Sequence, residues 1–303
     1  MLRTSGWAYP SPMRSILVTG ANKGIGLALA SEILRRHADT YVWLGSRSSP
    51  RGREAVAGLI AEDRAWADRL GMLELDVTSD ESVARAKMQV AERGVPLHGL
   101  VNNAGIGATG ATLAAVLDVN TLGIRRVCTA FVPLLDHSGG RIVNITSASG
   151  PSFVSRCSPA WQTFFVAPSM EWTRLEAFIG ECLALGDDKA AFAAKGLDDG
   201  EPYGLSKACA NSYTMILART HPSFRVNACT PGFIATDMTR PYASSAGKSP
   251  EEMGMKPPVA GTVAPMFLLF GQPEGSGRYY GSDAKRSPLD RYRSPGSEPY
   301  TGD

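Results

Sequence analysis

Tyr203 and Lys207 stand four residues apart in Tyr203-Gly204-Leu205-Ser206-Lys207, a spacing that puts two side chains one turn apart on one face of a helix. An ammonium held near a phenol stabilises the phenolate and lowers a pKa that is about 10 in an unperturbed tyrosine. Such a tyrosine can hand over a proton near neutrality, as a general acid must. Alone, the pair is a common surface arrangement. Two further residues give it a chemical setting: Ser147 follows the apolar run Arg141-Ile142-Val143-Asn144-Ile145, and Asn120 opens a helical stretch running to about Leu135. A serine at a strand's carboxyl end is where a catalytic hydroxyl is wanted, although many such serines are only turn residues.

The second chemical feature is Thr19-Gly20-Ala21-Asn22-Lys23-Gly24-Ile25-Gly26, between the apolar run Ile16-Leu17-Val18 and an amphipathic segment beginning at Ile25. That context predicts a strand-to-helix turn. Gly20 permits the tight exit from the strand, Gly24 lets backbone approach a pyrophosphate, and Gly26 lets helix and sheet pack closely. The helix start then offers free N–H groups to a phosphate. The next strand decides the cofactor. An acid at its end would bond the adenosine ribose, whereas a base accommodates a 2′-phosphate. No Asp or Glu occurs between Thr40 and Gly52. Arg47 and Lys23, with the hydroxyls of Ser46 and Ser48, can surround that phosphate with charge-assisted donors. NADP(H) is therefore favoured over NAD, the bland alternative being two solvated surface cations.

These residues need a scaffold. Short strands are read at Ile16–Val18, Tyr41–Leu44, Met72–Leu75, Leu97–Asn102, Arg141–Ile145, Phe224–Cys229 and, as the last edge strand, Arg278–Tyr280, with helical patterns between them. That alternation predicts an α/β, doubly wound Rossmann fold with a mostly parallel seven-stranded sheet. Its ligands sit at the carboxyl ends of the strands. Asp76 and Val77, Asn103, Ala104 and Gly105, Pro231 and Gly232 all fall at such ends. Residues 14–282 are expected to form one domain. Within it, 151–202 breaks the rhythm as a helical insertion before the Tyr203 helix, and 237–258 reads as a loop-like segment covering a ligand. The leader 1–13 and the Ser/Pro/Arg-rich tail 283–303 are expected to be disordered.

Composition excludes other classes. Thirty-one basic against 29 acidic residues give a net charge of +2, with no basic stripe for a nucleic-acid backbone. The five cysteines, Cys128, Cys157, Cys182, Cys209 and Cys229, form no CxxC pair. Neither a disulfide framework nor a metal site is indicated, and a reducing, cytoplasmic compartment is expected. No apolar run reaches membrane-spanning length.

In order and spacing, Thr19–Gly26, Asn102-Asn103-Ala104-Gly105, Asn120, Ser147, Tyr203/Lys207 and Pro231-Gly232 with Thr236 resemble the core-type short-chain dehydrogenase/reductases, over nearly the whole chain. The resemblance implies that Tyr203 is the catalytic acid/base and Lys207 its pKa-lowering partner and ribose anchor. It makes Ser147 the holder of the substrate oxygen and Asn120 the support of a proton-relay water. It places Asp76 and Val77 at adenine, Ala104 and Gly105 along the central part of the cofactor, and Thr236 at the nicotinamide end. The 56 residues from Ser147 to Tyr203 are similar to the long spacing of the monomeric carbonyl reductases, in which the insertion packs over the usual oligomer interface. A monomer reducing a small-molecule aldehyde, ketone or quinone with NADPH is the implied activity. Two alternatives stay open: oxidation of a specific secondary alcohol, and a non-catalytic NADP-binding regulator on the same fold. The chain departs from the family pattern in a short loop between Gly105 and Asn120, and in Thr146 where a serine is usual.

Overall fold

In the first strand, β1 (Arg14–Val18), Leu17 enters one hydrophobic core while Ile16 and Val18 enter another. In the second, β2 (Thr40–Ser46), Tyr41 and Trp43 separate from Val42 and Leu44 in the same way. A strand apolar on both faces belongs in a sheet covered on both sides. The computed structural model describes residues 13–302, and in it that sheet continues through β3 (Leu70–Glu74), β4 (Leu97–Asn102), β5 (Arg141–Ile145), β6 (Arg225–Cys229), β7 (Arg278–Tyr280) and β8 (Arg286–Ser287). The strand order is β3-β2-β1-β4-β5-β6-β7-β8, with every pairing parallel except β7 with β8. The chain reverses its winding direction between β1 and β4, and the carboxyl ends of those two strands frame a crevice.

The helices, in chain order, are α1 (Gly24–Arg36), α2 (Ser49–Glu62), α3 (Asp80–Glu92), α4 (Leu113–Leu117), α5 (Gly123–Phe131), α6 (Ser149–Arg156), α7 (Pro159–Phe165), α8 (Trp172–Leu185), α9 (Lys189–Ala194), α10 (Pro202–Thr220), α11 (Arg240–Ser245) and α12 (Val263–Phe270). Leu29, Ile33, Leu59 and Leu268 carry α1, α2 and α12 onto one face of the sheet. Val83, Val127, Phe131 and Leu205 carry α3, α5 and α10 onto the other.

Helices α6 to α9 span most of the predicted insertion. Their core is aromatic: Phe165 meets Phe153, Phe164 and Phe178 with ring centroids 6.0, 5.4 and 5.3 Å apart. Trp172 on α8 then stacks edge-on against Tyr213 of α10 at 5.6 Å and lies 4.1 Å from the Arg125 guanidinium of α5. The insertion therefore covers the outer flanks of α5 and α10.

Three expectations are corrected. The sheet has eight strands, not seven, because the tail supplies β8, whose Ser287 and Arg286 pair with Tyr279 and Tyr280. That tail is ordered by polar bonds rather than by an apolar run. Arg293, its side chain only 7% exposed, pairs with Asp283 and donates to Ser287 Oγ and to the Ser294 and Ser297 carbonyls, while the Gly296 N–H donates to Asp283 at 2.9 Å. The covering segment 237–258 contains α11 and is not wholly loop. The expectation for the leader falls on residues 1–12, outside the described residues, whereas Met13 packs against the core.

Candidate active site

The glycine turn and the end of β4 are locked together at the crevice. Thr19 Oγ1 accepts the N–H groups of Asn103 and Ala104, both at 3.0 Å. Asn103 in turn donates its carboxamide N–H groups to the carbonyls of Thr19 and Gly20 at 2.9 and 3.1 Å. Asn103 thus braces the turn with its side chain instead of presenting it to a ligand. A Cβ on Gly26 would sit 2.4 Å from Asn103 Nδ2, and one on Gly20 2.8 Å from Ala104 Cα. Gly20 and Gly24 hold φ of +61° and +58°, a left-handed conformation that glycine adopts without strain. No side chain caps the N-terminus of α1, so its first N–H groups face the crevice beside Asn22, Lys23 and Ile25. This cradle of bare backbone donors fits a dinucleotide pyrophosphate.

At the adenosine end, Arg47 follows β2, is exposed and has no ion-pair partner among the described residues. Ser46 is buried, and its hydroxyl donates to the Ser48 carbonyl at 3.0 Å, so it is spent locally and not on a phosphate. Asp76 Oδ1 accepts from the Thr78 N–H and hydroxyl at 2.9 and 2.7 Å. The Val77 carbonyl accepts from Arg126 at 2.6 Å. Lys23 departs from the reading that paired it with Arg47. Its ammonium bonds Asp237 at 2.6 Å and ties the glycine turn to the covering segment. There Thr236 also lies 3.5 Å from where a Gly24 Cβ would be.

The reacting groups converge from β5, α10 and the stretch between α4 and α5. Glu201 caps α10, accepting the N–H groups of Tyr203 and Gly204 at 2.9 and 2.6 Å. Tyr203 and Lys207 follow on the same face of that helix, near Ser147. Ser147 Oγ accepts the Ser149 N–H at 3.1 Å and its hydroxyl donates to Ser149 Oγ at 3.3 Å. Lys207 is 4% exposed, and its Nζ donates to the Ile145 carbonyl at 3.2 Å and sits 5.5 Å from the Tyr203 ring centre. Asn120 lies on a π-helical turn, Asp118–Leu122, a distortion that recurs at functional sites. It accepts the Ile106 N–H and donates to the Ile106 carbonyl, both at 2.9 Å, and donates to Ser206 at 3.1 Å. A Cβ on Gly105 would stand 3.2 Å from Asn120 Oδ1 and 3.5 Å from Lys207 Nζ, so both groups crowd that glycine.

Burial dominates the electrostatics here. It pushes the Tyr203 phenol up to about 12, outweighing the nearby Ser147 hydroxyl, which favours the phenolate. It brings the Lys207 ammonium down to about 8. Burial rather than the lysine sets the resting Tyr203 phenol, because the Lys207 ammonium is directed at the Ile145 carbonyl. A cavity of about 600 Å³ opens beside Ser147, lined also by Thr230, Pro231, Gly232 and Phe233. Gly232, at φ +89°, donates to Thr230 Oγ1 at 3.2 Å.

A sequence profile described as short chain dehydrogenase matches residues 14–158. The chain is 34% identical over 260 residues to (+)-neomenthol dehydrogenase of Arabidopsis thaliana, covering 74% of this chain and 84% of that protein. It is 31% identical over 274 residues to carbonyl reductase [NADPH] 1 of Homo sapiens, covering 86% and 92%. The protein belongs to the short-chain dehydrogenase/reductase family. The structure of salutaridine reductase from Papaver somniferum shares the fold of this short-chain dehydrogenase, with a TM-score of 0.74 at 24% identity over 88% of this chain and 99% of that one.

Sequence reasoning about this short-chain dehydrogenase missed one wall of its cavity. Asp283, Ser287, Arg291, Tyr292, Arg293 and Pro295, all from the tail, line it. The available signal was Arg291-Tyr292-Arg293, an aromatic between two cations in a stretch otherwise read as low in complexity.

Proposed function

We propose that this short-chain dehydrogenase reduces an aldehyde, ketone or quinone to the alcohol with NADPH. The observation that carries the reading is the convergence of Tyr203 with buried Lys207 and with Ser147, which lines the open cavity. A nicotinamide bound along the crevice supplies the hydride, two electrons and one hydrogen nucleus, to the carbonyl carbon. The chain supplies the rest. Ser147 and Tyr203 orient the carbonyl oxygen between two hydroxyl donors, and Tyr203, neutral at physiological pH, gives that oxygen its proton. Lys207 holds positive charge where the phenolate forms and so lowers the barrier to that transfer. Asn120, turned toward Gly105, fixes the approach to Lys207 through which a proton returns. The two relatives named for a menthol-type alcohol and for carbonyl reduction support chemistry at a carbon–oxygen bond. The name of the former also favours the reverse reaction, alcohol oxidation, as the second reading. Purified protein should consume NADPH with several unrelated carbonyls and use NADH poorly. No consumption with any carbonyl, despite NADPH binding, contradicts the proposal.

Arg47 is assigned to the 2′-phosphate. A charge-assisted contact there is worth about 1.5–3 kcal/mol, so Arg47→Ala should weaken NADPH binding by about 10–150-fold and leave NADH nearly unchanged. Equal losses for both nucleotides, read by fluorescence titration, refute the assignment. The protein is further expected to be a monomer, because the insertion covers the outer flanks of α5 and α10. Light scattering should give a mass near the chain's 32.2 kDa, and a stable dimer or tetramer contradicts it.

A further inference from the structure

The ring of Tyr292 is 54% exposed and belongs to no core, yet it lines the same cavity as Ser147. Exposed Phe233 and Val263, at 42% and 50%, line that cavity too. Most of the large exposed apolar side chains of a soluble surface are scattered singly. Here three, from the loop after β6, from α12 and from the tail, meet at one opening. Tyr292 also borders an adjoining cavity of about 410 Å³, with Ala148, Ser149 and Glu201.

The tail that carries Tyr292 is held in place. Arg293 uses its fork on Asp283, Ser287, Ser294 and Ser297, a set of contacts that fixes the residue next to Tyr292. Charge within the tail is paired, Asp283 with Arg293 and Arg291 with Asp290 at 3.0 Å, while in the adjoining cavity Arg156 pairs with Asp198 and Glu201 caps α10. Of the cations on the lining, Lys256 alone has no ion-pair partner among the described residues. The wall at Tyr292 therefore presents an exposed aromatic ring among charges that are already paired within the tail.

We propose that the C-terminal segment is the specificity wall of the substrate cavity, with the Tyr292 ring packing on the apolar body of a ring-bearing carbonyl substrate and the Asp283–Arg293 pair holding it there. This rests on the reading of the Ser147 cavity as the carbonyl site. Tyr292 does not touch the reacting atoms. It selects by contact area, so its removal acts on KM and spares kcat, and only for substrates long enough to reach it.

The test compares kcat/KM for NADPH-dependent reduction of 4-phenylcyclohexanone and of propanal. Tyr292→Ala should raise KM for the ring ketone about tenfold, the scale of a lost apolar pocket contact, with kcat for both substrates nearly unchanged. Tyr292→Phe should restore parental selectivity, since the contact needs the ring and not the hydroxyl. Arg293→Ala, which releases the clip, should shift selectivity in the same direction. A ring-ketone to propanal ratio within twofold of the parent in Tyr292→Ala, or a gain for the ring ketone, overturns the inference. Tyr203→Phe run alongside separates the two failures: if it keeps parental turnover, the reading of the site is wrong, whatever Tyr292 does.

Discussion

Replacing Tyr203 by phenylalanine should lower turnover by about 10²–10⁴-fold, the usual contribution of a positioned general acid, while nucleotide affinity stays nearly unchanged. The substitution deletes one oxygen. That oxygen belongs to the group set beside Ser147, which lines the cavity, and the ring that remains keeps its place near Lys207. Because burial holds the Tyr203 phenol near about 12, the group is protonated throughout the neutral range and acts as a donor without prior titration. Reduction should therefore lose no activity to Tyr203 ionisation below about pH 10. Steady-state assays of the variant with NADPH and a saturating aldehyde check the first point, and activity within tenfold of the parent contradicts it.

Lys207→Met should abolish most turnover, by about 10²-fold or more, and at the same time stabilise the cofactor-free fold at pH 7. Burial lowers the lysine from 10.5 to about 8 in the folded chain. A cationic group with a depressed folded pKa binds fewer protons when folded than when unfolded. Its burden on stability is therefore full below about pH 8, shrinks between about 8 and 10.5, and is gone above. The shift corresponds to about 3 kcal/mol. Part of that is offset in the variant, because the Ile145 carbonyl loses its donor at a cost of about 1–2 kcal/mol. The net gain of about 1–2 kcal/mol should raise Tm by a few degrees at pH 7, then vanish and reverse as pH approaches 10.5. Tyr203 titrates in both proteins and cancels in the comparison. Calorimetry at pH 7 and pH 10 reads the crossover, and a variant less stable than the parent at both pH values would be inconsistent with a strained buried ammonium.

Local patterns of residues made much of this molecule legible. Ile16-Leu17-Val18 and Tyr41–Leu44 show two-sided strands because each side chain's face follows from its neighbour's. The glycine turn and the four-residue spacing of Tyr203 and Lys207 are equally local. What was hidden lies in contacts between distant residues. The Lys23 bond to Asp237 joins positions 214 apart, so the lysine's partner is invisible from its own loop. The tail has little apolar content, and its order comes from one arginine satisfying several oxygens at once, a device without periodicity. The direction of the Tyr203 shift is hidden in the sequence for a related reason. Spacing shows that an ammonium is near, whereas desolvation depends on everything else that closes around the pair.

The central claim, that hydride reaches a carbonyl carbon while Tyr203 protonates the oxygen, is met most directly by isotope transfer. NADPH carrying deuterium at the 4-position of the nicotinamide should be incubated with the protein and an aldehyde, and the product alcohol examined by mass spectrometry and NMR. The account predicts one deuterium on the carbinol carbon in the parent, delivered from one of the two 4-epimers only, and negligible labelled alcohol with Tyr203→Phe. Unlabelled alcohol, or labelled alcohol formed equally well by Tyr203→Phe, would contradict it.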